Sequence, residues 1–201
     1  MTEKELIHQL SESIKRTTDI KKELFSEMTV KRGLRNDDGS GVLAGLTRVG
    51  DVVGYEKKPE GGLKAIPGKL LYRGLDVEEL VHGLQGENRL GFEETAYLLL
   101  SGSLPTEEEL GLFQNLIMKT MPLDHRTTMN ILSLKGKNIM NILARCVLEL
   151  YVYDENPDDI SKDNLIRQSI NLIAKFPTII AYAYQVLRHD QMGRSLHVRH
   201  P

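Results

Sequence analysis

The sequence predicts a mainly α-helical chain with a small β-hairpin element near residues 40–73. Three observations point there. Apolar residues recur at helical spacing in 1–30 and again from 75 to 201. Between those stretches glycine is dense and no helical period survives. Helix-start signals, Thr or Asp with Glu three residues later, stand at the heads of periodic segments. The chain therefore divides into an N-terminal helix (1–30), a glycine-rich β/turn element (31–74) and a helical body (75–201).

Thr2 to Met28 reads as one amphipathic helix. Leu6, Ile7, Leu10, Ile14, Leu24 and Phe25 share a face, and Thr2 with Glu5 forms a capping box. The stretch from Arg32 to Lys57 then carries glycines at 33, 39, 41, 45, 50 and 54, and Gly39, Gly41 and Ala44 match G-x-G-x-x-G/A. A dinucleotide loop needs a strand before those glycines and a helix opening on them. KRGLRNDD is a poor strand and GLTRVGDVVGYEK a poor helix, so that reading fails. A P-loop ending at Gly68-Lys69 fails too, because Leu63 and Leu70 replace its first glycine and its magnesium-binding hydroxyl. The glycines instead punctuate turns. Asn36-Asp37-Asp38-Gly39 is a turn signal, and Val42-Leu43, Val49 and Val52-Val53 are short β-prone pieces. Lys69–Gly74 is the expected last strand, turning into a helix capped by Asp76.

Five further helices follow. One spans Phe92–Leu100, and one runs from Thr106 to about Lys119 with acidic residues in its first turn. A short one lies near Thr127–Leu132. Two long apolar ones span about Asn138–Tyr153 and about Lys162–Arg188, the second interrupted and kinked at Pro177. Between the last two, DENPDDIS (154–161) is turn chemistry with Ser161 as N-cap.

The formal net charge is −2 and the basic residues are dispersed, which argues against nucleic-acid and membrane partners. Cys146 is the sole cysteine, so no intrachain disulfide forms and a cytoplasmic setting is expected. MTEKELIHQLSESIK lacks the apolar core of a secretory signal, and no uninterrupted apolar run reaches the length of a membrane span. Metal-ligand spacings such as H-x-x-x-H and C-x-x-C are absent. The pairs Asp37-Asp38 and Asp158-Asp159 read as turn residues, and Cys146 as a small core side chain. The tail RHDQMGRSLHVRHP (188–201) is basic but lacks interleaved aromatics.

The order of segments is more specific than any one of them. RNDDGSGVLAGLTRVGDVVGYEK followed by GKLLYRGLDVEELV resembles the N-terminal region of citrate synthases, including their [FY]-R-G element. GFEETAYLLLSGSLPTEEEL (91–110) resembles the next segment, with its G-x-L-P-T. NPDD at 156–159 and AKFPTIIAYAY (174–184) complete the set, which is closest to the bacterial type. The resemblance runs from about Lys31 to Pro201.

That resemblance implies a citrate-synthase-like helical domain and a condensation of acetyl-CoA with oxaloacetate to citrate, with 2-methylcitrate synthesis from propionyl-CoA as the alternative. It implies no cofactor beyond the two substrates. The family's one Asp and two His lie in its C-terminal part, after an H-x-x-H-G/E-G-G segment and a G-P-x-H-G segment. Neither segment occurs here, and His8, His82, His125, His189, His197 and His200 all lack that context. The chain is therefore expected to be an inactive N-terminal fragment, truncated before the catalytic half. No catalytic, cofactor-binding or metal residue is assigned. Arg73 has two readings, a CoA-phosphate contact or a structural ion pair. The resemblance also implies a homodimer through the helices near Asn138–Tyr153 and Lys162–Arg188. Leu165, Ile166, Ile170, Ile173, Ile179, Ile180 and Tyr184 of the latter would join the interface. A non-catalytic helical dimerisation module is the alternative from outside the enzyme class.

Overall fold

A computed structural model describes residues 3–21, 23–28, 33–35, 41–42 and 44–197. The chain forms two units, Met1–Arg48 and Val49–Pro201. The Thr2 cap, the turn at 36–39 and Leu43 lie outside the described residues.

In the first unit the expected single helix is two: α1 (Glu3–Thr18) and a short α2 (Glu23–Glu27). α1 ends on two β-branched residues whose hydroxyls bond back into the helix. Thr17 Oγ1 donates to Ser13 O at 2.9 Å and Thr18 Oγ1 to Ile14 O at 2.7 Å. Beyond α2, Arg35 and Gly41 form an isolated antiparallel bridge. Val42 joins no strand.

The second unit opens with a three-stranded antiparallel sheet ordered β1 (Gly50–Lys57), β2 (Leu63–Tyr72), β3 (Leu75–Asp76). Gly50 pairs with Tyr72 and Lys57 with Leu63, with a register shift between Val53 and Tyr55. β2 begins earlier than expected and runs through Pro67-Gly68, which sit where that shift loosens the ladder. Gly68-Lys69 thus lies inside a strand, which removes the P-loop reading.

Helices build the rest: α3 (Val77–Gly86), α4 (Phe92–Ser101), α5 (Glu107–Thr120), α6 (His125–Ser133), α7 (Ile139–Leu150) and α8 (Lys162–Met192). A 3₁₀ turn, Tyr151–Tyr153, follows α7. Capping is local chemistry, and the sequence signals at Asp76, Thr106 and Ser161 are realised. Asp76 accepts from Glu78 N, Thr106 and Glu109 form a complete capping box, and Ser161 caps α8. α8 continues through Pro177 as one 31-residue helix.

α8 is the spine of this unit. Ile179, Tyr182 and Ala183 pack with Ile131 of α6 and with Ile142, Leu143, Cys146 and Leu150 of α7. Ala174 packs with Phe113 and Ile117 of α5. The Tyr97 ring meets Phe113 edge-on, 5.6 Å between centroids. By length and composition α8 is the one described helix that could cross a membrane, although charged and polar residues interrupt its apolar run. Part of its apolar content, Ala174, Ile179, Tyr182, Ala183 and Val186, is buried in the core of this unit.

The turn at 154–161 is pinned to the first turns of α8. Asn164, buried, donates from Nδ2 to Asn156 O at 2.8 Å and Asp159 O at 2.7 Å. Its Oδ1 accepts from Arg167 Nε at 2.9 Å, and Arg167 Nη2 reaches Asp154 Oδ1 at 2.5 Å. The Asn156 backbone N–H, then Arg167, holds the Asp154 carboxyl below the ordinary carboxylate range. The Ser161 N–H and hydroxyl do the same for Asp159, and the Lys69 ammonium for Asp76. These groups bind fewer protons folded than unfolded. Their contribution is complete above the unfolded carboxylate pKa and is lost as pH falls through the lower folded values. The urea midpoint should therefore fall steadily below about pH 5, and Asp154→Asn should flatten that decline. A midpoint unchanged across the window would contradict this account.

Candidate functional site

Arg73 sits where β2 turns into β3. It and Gly74 both adopt positive φ, 52° and 88°, as a two-residue I′-type hairpin turn requires. The Arg73 N–H donates to Val49 O at 2.9 Å. The turn aims the guanidinium at the end of α4, where Nε donates to Leu99 O at 3.0 Å and Nη2 donates to the same oxygen at 2.5 Å. Leu100 O lies 3.4 Å from Nη2. These are carbonyls of the last helical turn, which have no partner within the helix and carry the negative end of its dipole. Arg73 therefore locks the sheet to α4. Of its two sequence readings the structural one fits, with carbonyl oxygens in place of a carboxylate. The Y-R-G element is a turn-and-clamp device.

A groove of about 810 Å³ lies between α4 and α5, lined by Arg89, Glu93, Glu94, Pro105, Thr106 and Leu110 among others. Its one cation is committed, since Arg89 pairs with Glu87 and Glu94 at 2.6 Å each. At its edge Glu109 accepts from the Thr106 backbone N–H at 2.8 Å as the capping partner. Such a lining offers an anionic ligand no uncommitted cation.

The remaining candidates are occupied or inert. Asp158 accepts from the Tyr151 hydroxyl at 2.9 Å, and Asp159 from the Ser161 backbone at 2.9 Å. Asp37 and Asp38 lie outside the described residues. Cys146 is buried, and burial pushes its thiol pKa up, away from the thiolate a nucleophile needs. Among the described residues no three His, Cys, Asp or Glu side chains gather as a metal set.

What stands out is apolar surface. The Asn138–Tyr153 segment is apolar nearly all round in sequence, which predicts burial on most sides of α7. Instead one side is core, and Met140, Ala144 and Leu148 step along the other by fours, with Val152 continuing the line. Leu148 is 73% exposed and Met140 69%. On α8 Leu172, Ile180 and Tyr184 lie on a second outward face, with Leu165 and Ile166 exposed near the helix start, while Phe176 between them packs against the core. This corrects the expected interface set. Ile179 is fully buried in the chain's own core, and Ile170 and Ile173 pack against the Phe113 cluster. Leu165, Ile166, Ile180 and Tyr184 remain available. Contiguous apolar surface of this kind marks an interaction face. Sequence reasoning missed the Asn164–Arg167–Asp154 lock and the clamp role of Arg73, because their partners are set by tertiary packing.

Three comparisons bear on this architecture. Residues 38–199 match a family model described as citrate synthase, C-terminal domain. A 2-methylcitrate synthase 1 of Corynebacterium glutamicum is 30% identical over 158 residues, which is 78% of this chain and 36% of that protein. A citrate synthase of the same organism is 35% identical over 123 residues, 59% of this chain and 26% of that protein. The crystal structure of citrate synthase from Pyrobaculum aerophilum superposes with a TM-score of 0.57 at 29% identity, covering 77% of this chain and 38% of that one. The match thus spans between about a quarter and about a third of the length of these curated relatives.

Proposed function

Because the chain belongs to the citrate synthase family, we propose that its 201 residues form the N-terminal helical part of an enzyme that condenses acetyl-CoA with oxaloacetate to citrate and CoA. The observation that carries the reaction class is the family match over residues 38–199, which takes in both the sheet and the helical body. A place in the later half would require the family's histidine segments, and the 201 residues do not include them.

The reaction needs a carboxylate base for the acetyl methyl group and hydrogen-bond donors for the thioester and keto oxygens. The carboxylates and guanidinium considered above are held in caps, turns and ion pairs. These residues therefore contribute scaffold and association surface, with the reacting groups supplied by the remainder of a full-length enzyme acting in the cytoplasm. Light scattering on the purified chain tests the dimer that the outward faces of α7 and α8 would form.

Mixed with acetyl-CoA and oxaloacetate, the 201-residue chain should release no thiol above the uncatalysed rate. Turnover would overturn this reading and return a catalytic role to its own side chains. The second reading, 2-methylcitrate synthesis from propionyl-CoA, is favoured by the broader coverage of the 2-methylcitrate synthase relative. Assaying a full-length enzyme with both acyl-CoAs separates the two.

A further inference from the structure

Residues 1–37 lie outside the family match, and α1 is their main element. Its apolar side chains are open: Leu6 is 41% exposed, Ile7 57%, Leu10 52% and Ile14 58%. They fall on a heptad seam. With Ile7 and Ile14 at position a, Leu10 and Thr17 occupy d. From Leu6 to Thr18 the flanking e and g positions are Leu6, Ser11, Ser13 and Thr18, all uncharged. Glu5, Glu12, Lys15 and Arg16 stand on the far side, where Lys15 Nζ pairs with Glu12 Oε1 at 2.6 Å.

We propose that α1 pairs in parallel with α1 of a second copy of this chain. β-branched residues at a with Leu at d favour two parallel strands. Beyond the first turn, which holds Glu3 at d and Lys4 at e, the flanks carry no charge, so two identical helices approach there without opposing like charges. Two heptads are too short to pair as free peptides. The proposal therefore rests on the dimer read from α7 and α8, which would hold the two helices at high effective concentration.

The test uses the full chain with Ile14→Cys. In a parallel pair the two Cα atoms at one a position fall near the roughly 5.5–6 Å that a disulfide spans, whereas an antiparallel pair separates them. Mild oxidation should convert most of Ile14→Cys to a covalent dimer and leave Glu12→Cys monomeric on a non-reducing gel. The body dimer is read separately, by sedimentation of full-length Ile7→Asp/Ile14→Asp. A dimeric double variant with no Ile14→Cys cross-link overturns the α1 pairing alone. A monomeric double variant with no cross-link overturns the pairing and the body dimer together. Equal cross-linking of Glu12→Cys would show random collision and also overturn it.

Discussion

Ile179→Ala should lower the unfolding free energy by about 3–4 kcal/mol. Ile179 is fully buried at the meeting of α6, α7 and α8, among Ile131, Ile142, Leu143 and Cys146. Truncation removes three carbons from a site walled by three helices. Each wall is anchored elsewhere: α6 by its Asp124 cap, α7 by Asn138, and α8 by the Ser161 cap and the Asn164 lock. Collapse into the cavity is therefore limited, and the cost should sit in the upper part of the range for such truncations. The neighbour supplies the control. Ile180 is 41% exposed, so Ile180→Ala should cost under about 1 kcal/mol at submicromolar protein, where association contributes least. Urea titration measures both through the shift in midpoint at constant slope. Equal costs at 179 and 180 would mean that α8 is rotated about its axis from the orientation described.

That contrast also shows what the sequence could not carry. Caps were legible because they depend on side chains within three residues of one another, as at Asp76, Thr106 and Ser161. The phase of α8 was not, because Ile170, Ile173, Ile179 and Ile180 make it apolar around much of its circumference. Periodicity separates polar from apolar faces, and it cannot rank two apolar faces by which neighbour covers them. The same limit hid the split character of α7. β2 was underestimated because Pro67 and Gly68 are strand-breaking residues by composition, and the irregular register against β1 that accommodates them is a pairing property. Arg73 was visible as part of Y-R-G, but its partners, the carbonyls of Leu99 and Leu100, lie 26 and 27 residues away and carry no side-chain signal.

If the outward face of α7 is the association surface, Leu148→Lys should turn the dimer into a monomer. Leu148 is 73% exposed in the single chain and sits in the last turn of α7, so a lysine there suits the helix dipole and leaves the fold intact. In a two-fold interface every residue counts twice. Losing the burial of one leucine costs about 2 kcal/mol. Two such losses amount to roughly 4 kcal/mol, on the order of a thousandfold in Kd, before the cost of burying two ammonium groups. Sedimentation velocity at micromolar protein should show the wild type as a dimer and Leu148→Lys as a monomer, with unchanged urea midpoints under monomeric conditions. Met129→Lys on α6 is an equally polar change at a 51% exposed site outside both stripes, and should leave the dimer in place. A Leu148→Lys chain that still sediments as a dimer would move the interface off α7. Dissociation by both variants alike would point to charge-driven solubilisation of a non-specific aggregate, because only a defined interface distinguishes Leu148 from Met129.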